Sequence, residues 1–136
     1  MRVFLDANIL FSAAKSAGAV RTLFEELLRL GHECCADAYV VEEARRNLVA
    51  KAPDAGAALD HLLRRVSIAA LQPSSALPEE AQGLPEKDRP VFAAAMRGGC
   101  DVLLTGDRTH FGRWFGKRIA GVTIHSPRSL AEALPR

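Results

Sequence analysis

The sequence predicts an α/β fold, a central parallel sheet of about five strands with helices on both faces. Three observations carry that prediction. Val3-Phe4-Leu5 and Val102-Leu103-Leu104 are uninterrupted apolar runs, the kind buried on both faces of a parallel sheet. Each is followed at once by polar residues, Asp6-Ala7-Asn8 and Thr105-Gly106-Asp107. Strand-like and helix-like stretches alternate along the whole chain, and right-handed crossovers fold such an order into a parallel sheet.

Strand 2–5 opens the chain and leads into a helical stretch near 8–15, broken by Gly18. Val20, Leu23, Phe24, Leu27 and Leu28 recur at helical spacing up to Gly31. Glu33 to Ala36 reads as the second strand, and Ala38 to Ala50 as a helix. Pro53-Asp54 starts another helix through Leu59, Leu62 and Leu63, and Ser67 to Ala70 is the third strand. Pro73, Pro78, Pro85 and two serines make 72–87 a loop with at most a turn of helix. Helix 89–98, stopped by Gly98-Gly99, strand 102–105, an irregular stretch, strand 121–124 and a closing helix 127–134 complete the chain.

A chain of 136 residues, 49% hydrophobic and 25% charged, is expected to form a single domain over 1–136 with its own core. No apolar run approaches the roughly 20 residues needed to cross a bilayer, and the chain begins directly with a strand, so a cytoplasmic protein without membrane contact is expected. Cys34, Cys35 and Cys100 are odd in number and two are adjacent; they read as small core residues in a reducing compartment.

In open α/β sheets ligands sit beyond the carboxyl ends of the strands, and Asp6 and Asp107 are both delivered there. Either residue also suits a helix N-cap, although Asn8 is available for that task beside Asp6. Glycine at 106 is read as permitting a sharp turn before Asp107. Asp88, ahead of Arg89-Pro90, is placed to cap the next helix. Val40, Val41, Ala44 and Leu48 mark the buried face of the third helix. Glu42 then points about 145° from that face and Glu43 about 115° on the other side, so Glu43 is the better candidate for a pocket at the sheet edge. Asp101 begins its strand and belongs at the other end of the sheet, and Asp37 is explained by capping. Two or more carboxylates in one pocket call for a divalent cation.

These residues carry a resemblance. Val3-Phe4-Leu5-Asp6-Ala7-Asn8-Ile9-Leu10 resembles the opening motif of the PIN-domain nucleases, and Val41-Glu42-Glu43-Ala44-Arg45-Arg46-Asn47-Leu48 is similar to their central helix. Asp88-Arg89-Pro90-Val91-Phe92-Ala93-Ala94-Ala95 and Asp101-Val102-Leu103-Leu104-Thr105-Gly106-Asp107 resemble their third and fourth motifs. The resemblance spans nearly the whole chain in order. It implies a three-layer α/β/α fold, Mg²⁺- or Mn²⁺-dependent cleavage of RNA, and a VapC-type toxin with a small antitoxin partner. It also implies catalytic and metal-holding roles for Asp6, Glu43, Asp88 and Asp107, with Asn8 and Thr105 in support. One departure stands out. Where members of the family often carry another acid, this chain has Arg108-Thr109-His110-Phe111, leaving a second ion without that ligand and His110 as a surface group or a contact to substrate.

Net charge is only +2, but from Arg108 onward six basic residues face one acid, Glu132. Within that stretch Arg113, Trp114, Lys117 and Arg118 mix cations with an aromatic ring, a composition suited to phosphate contacts and base stacking on single-stranded RNA. The apolar side chains of residues 8–30 exceed one buried stripe and suggest a homodimer or a docked antitoxin. A second reading is a catalytically weak RNA-binding or partner-sequestered module of the same fold. A receiver-like domain is disfavoured, because it wants adjacent carboxylates after the first strand and a lysine after the last. No serine-histidine-aspartate order, glycine-rich phosphate loop or Cys-x-x-Cys competes.

Overall fold

The computed structural model describes residues 1–70 and 77–135; Pro73, Ser74 and Ser75 of the predicted loop, and the basic Arg136, lie outside the described residues. Six strands form one sheet: β1 (Arg2–Leu5), β2 (Glu33–Asp37), β3 (Ser67–Ala69), β4 (Val102–Leu104), β5 (Arg118–Ile119) and β6 (Val122–His125). Their order is β3-β2-β1-β4-β6-β5, all parallel except the last pair. The extra strand is β5, antiparallel to β6 through a tight turn in which Ala120 and Gly121 both take positive φ. At two residues it is too short to show any hydrophobic period.

Seven helices flank the sheet among the described residues: α1 (Ala7–Lys15), α2 (Ala19–Arg29), α3 (Ala38–Lys51), α4 (Gly56–Leu63), α5 (Arg89–Arg97), α6 (Arg108–Phe111) and α7 (Pro127–Ala133). Short 3₁₀ turns at Pro53–Ala55, Glu79–Ala81, Glu86–Asp88 and Gly112–Trp114 fill stretches read as helix start, loop or irregular chain. Strand and helix ends otherwise fall within about two residues of the predicted ones, the usual scatter for frayed termini.

The three layers follow from chain direction. From β1 the chain steps outward to β2 and then β3, so right-handed crossovers put α1 to α4 on one face, where α1 packs on α2, α3 and α4. The return from β3 to β4 reverses direction and brings α5 to the opposite face. Val91 to Ala95 are buried in succession, as expected of a helix covered on every side. Val3, Phe4 and Leu5 of β1 and all of β4 are buried between these layers, whereas edge strand β3 is exposed.

The N-terminal helices cover their own apolar side chains. Ile9, Leu10, Leu23, Phe24 and Leu27 are buried, and Phe11, Val20, Leu28 and Leu30 pack half-buried on the core. The apolar surplus that suggested a dimer face is thus partly covered within the protomer, with Phe11, Val20, Leu28 and Leu30 left half-exposed. Cys34, Cys35 and Cys100 are all free and buried. No helix among the described residues is long and apolar enough to cross a membrane.

Candidate metal centre

Because successive strands are laid down on either side of β1, the crossovers diverge between β1 and β4, and a crevice opens beyond their carboxyl ends. Leu5 pairs with Leu104 in register, and the Asp6 amide donates to the Leu104 carbonyl at 3.0 Å. Asp6 and Thr105 thus leave the sheet side by side.

A closed set of hydrogen bonds fixes them. The buried Thr105 hydroxyl donates to Asp6 Oδ2 at 2.8 Å and accepts from Asn8 Nδ2 and the Asp107 amide at 3.3 and 3.2 Å. Asp6 Oδ1 accepts from the Ala7 amide at 2.7 Å, and Oδ2 also takes Asn8 Nδ2 at 3.2 Å. Asp6 is therefore both the cap of α1 and a held carboxylate, and Asn8, read from sequence as a spare cap, instead spans the two strand ends. Its Oδ1 accepts from the Gly106 amide at 2.7 Å. A Cβ on Gly106 would sit 3.3 Å from that oxygen, so close approach to Asn8, rather than a positive φ, favours glycine here.

The crevice is a cleft of about 180 Å³ lined by Asp6, Asn8, Glu43, Asp88, Asp107 and His110, with Tyr39, Asn47 and Lys87 on its remaining sides. Asp37 caps α3 by accepting from the Val40 amide, and Val40, Ala44 and Leu48 anchor that helix. The phase turns Glu43 into the cleft, half-buried, and leaves Glu42 exposed. Val41 is only half-buried, so the anchoring face is narrower than the sequence suggested. Tyr39 and Lys87 carried no motif. Lys87 belongs to the 3₁₀ turn before α5, and Tyr39 lies one turn before Glu43 on α3.

Asp88 departs from its predicted role as a helix cap. It ends the Glu86–Asp88 turn with helical backbone angles and makes no side-chain cap bond. Its Oδ2 is buried with no hydrogen-bond partner among the described residues and belongs to the cleft's cluster. Asp107 caps α6, with Oδ1 accepting from the His110 amide at 3.1 Å and Oδ2 lying 2.6 Å from His110 Nδ1. Asp88 Oδ2 is 3.4 Å from the same nitrogen, outside hydrogen-bond geometry. One ligand atom from each of Asp88, Asp107 and His110 falls within 4.8 Å of the others.

Electrostatics match a centre short of positive charge. Burial pushes the Asp6 carboxyl above its ordinary range; the Thr105 hydroxyl and Ala7 amide pull it down, and the charges of Glu43 and Asp88 push it up again. Asp88 is raised by burial and by Asp107, against His110 and Lys87. A buried carboxylate oxygen without a donor among the described residues, beside further acids and an imidazole, fits a divalent cation with oxygen and nitrogen ligands.

Of the basic stretch His110 lines this cleft, and Arg113, Trp114, Lys117 and Arg118 do not. Trp114 is half-buried, its ring edge against Gly83, with the Arg113 guanidinium 4.9 Å and the Lys117 ammonium 5.9 Å from its centroid. Arg118 lies in a depression with Met1, His32 and Asp101, at the end of the sheet opposite the carboxylates. Asp101 accepts there from the Arg2 amide, as its place at a strand start requires. Arg45 and Arg65 pair with Asp60 and Glu25 on the surface. A separate cavity of about 530 Å³ is lined by Phe4, Cys35, Asp37, Ile68 and Cys100, away from the acidic cluster.

A family model described as PIN domain matches residues 2–109. No curated protein matches the chain. Among solved structures, it is similar to a chain of VapBC2 from Rickettsia felis bound to a DNA fragment from their promoter. The TM-score is 0.65 at 18% identity, covering 93% of this chain and 98% of that one.

Proposed function

The chain belongs to the PIN-domain family, and from that premise we propose that it is a Mg²⁺- or Mn²⁺-dependent endoribonuclease, the toxin of a toxin–antitoxin pair. The observation that carries the proposal is the unpartnered, buried Asp88 Oδ2 converging with Asp107 and His110 beside Asp6 and Glu43. Asp6, Glu43, Asp88 and Asp107 would hold the divalent cation, which when bound would acidify water and neutralise phosphate oxygens. The protein's own groups divide the rest. Thr105 and Asn8 hold Asp6 in a single orientation, so no reorganisation is needed when substrate arrives. Glu43, entering from α3, stands where a carboxylate can take the proton of the attacking water. Lys87 offers the cleft's own cation to a neighbouring phosphate, and the exposed ring of Tyr39 offers a face to an unpaired base.

The whole of 1–136 is proposed as one nuclease domain, since β6 and β5, beyond the matched segment, extend the sheet beside β4. A small antitoxin in the cytoplasm is the proposed partner, a setting supported by the fold shared with VapBC2. A homodimer through the half-exposed Phe11, Val20 and Leu28 of α1 and α2 is the proposed assembly. Incubation with defined single-stranded RNAs tests the activity. Internal cleavage that a chelator stops and either ion restores is expected; cleavage undiminished by chelator would overturn the metal assignment.

A further inference from the structure

We propose that His110 is a metal ligand, and that its imidazole biases this centre towards Mn²⁺ and other first-row transition ions over Mg²⁺. The inference rests on the metal-centre reading and goes beyond it, because from sequence His110 reads only as a surface group or a contact to substrate. His110 Nδ1 lies 2.6 Å from Asp107 Oδ2 and 3.4 Å from Asp88 Oδ2, and the last atom is buried without a donor. Two carboxylate oxygens and one imidazole nitrogen thus converge on one point, each near enough to the others to share an ion. The arrangement is built by the chain. Asp107 caps the single turn of α6 through the His110 amide, and that three-residue spacing folds the ring back over the capping carboxylate. Buried Phe111, the next residue, anchors the turn from the core side.

The chemistry of the donor set gives the preference. Mg²⁺ takes hard oxygen ligands and surrenders its waters reluctantly, whereas an imidazole nitrogen suits the later divalent ions and still serves Mn²⁺. A nitrogen in place of an acid also lowers the negative charge of the centre by one, which weakens the hold on an ion bound by charge alone. If His110 contacted substrate instead, its nitrogen would stay outside the coordination sphere.

Pulsed electron paramagnetic resonance on the intact protein loaded with Mn²⁺ separates these cases. A ¹⁴N coupling that converts to ¹⁵N when histidine is labelled is expected, absent in His110→Asp and His110→Asn. Folding of both variants is checked by circular dichroism, and the coupling in the unaltered protein needs neither variant. The Mg²⁺ concentration that displaces half the Mn²⁺ is expected to fall about 10-fold or more in His110→Asp. Bound Mn²⁺ that Asp107→Asn releases, but that shows no histidine coupling, would overturn the proposal and leave the metal centre standing. No Mn²⁺ bound at millimolar concentration would overturn both.

Discussion

The Thr105 hydroxyl donates to Asp6 Oδ2 at 2.8 Å, joining the ends of β4 and β1 across 99 residues of sequence. The same oxygen accepts from the Asp107 amide, so one hydroxyl sets the spacing of two carboxylates from opposite ends of the chain. Thr105→Val keeps the shape and removes that link. The variant is expected to lose about 1–3 kcal/mol of stability, since a buried carboxylate loses a donor. It should also cut RNA more slowly at saturating metal. Denaturant unfolding checks the first effect and single-turnover cleavage the second; unchanged stability would show that water replaces the hydroxyl.

Glu43 and Glu42 are neighbours with opposite surroundings, one in the cleft and one in solvent. Glu43→Gln should lower the cleavage rate by about 10²-fold or more, the scale of a lost general base, and Glu42→Gln should leave it level. Equal losses in cleavage assays of the two variants would contradict the helix phase.

Burial raises the Asp6 carboxyl, so without metal the folded protein keeps a proton that the unfolded chain has released. That contribution is full at acid pH and is lost as pH rises through the folded-state value, above the ordinary carboxylate range. Asp6→Asn has no such proton. From about pH 4 upward, through the raised folded-state value, the stability of the parent relative to the variant should therefore fall. Glu25, lowered by hydrogen bonds from Arg65, and Glu33, lowered by those from Ser67 and Arg2, slope the other way but are common to both proteins. Mn²⁺ should raise the melting temperature of the parent with concentration. Urea midpoints across pH read the difference, and a parallel pair of curves would refute it.

Lys87 and Arg118 separate two routes for RNA. Lys87→Ala should weaken binding of all sequences and reduce the slope of log affinity against log salt by about 0.7, and Arg118→Ala should leave the slope alone. Trp114→Ala is expected to cost about 2 kcal/mol of folding stability, less than a fully buried tryptophan, because its ring packs on Gly83 and beneath Arg113. Salt titrations of RNA affinity and thermal unfolding measure both. A slope that changes for Arg118 but not Lys87 would move the RNA path to the far end of the sheet.

Much of this was legible because it lies on single strands and one helix. An apolar triplet followed by aspartate marks a strand end for Asp6 and Asp107, and a 100° period selects Glu43. What was not legible depends on pairs distant in sequence. Asn8 reads locally as a cap, and only the approach of Gly106 makes it a bridge. Asp88 reads as a cap because a proline follows, but the preceding 3₁₀ turn swings its carboxylate inward. The cations after Asp107 seem beside the cleft in sequence, yet β5 carries Arg118 back along the sheet to the opposite end. Lys87 lacks any sequence signal, since its place follows from the turn alone.

The cleavage rate of Asp6→Asn with a defined RNA at saturating Mn²⁺ tests the role of Asp6 most directly. The substitution removes the buried charge. It also turns an amide donor towards either the Thr105 hydroxyl or the Ala7 amide, so stability should shift by no more than about 1–2 kcal/mol and the variant stays folded. A rate reduced by about 10³-fold or more in a folded protein is the predicted result. Cutting as fast as the parent would contradict the assignment of this cleft as the catalytic centre.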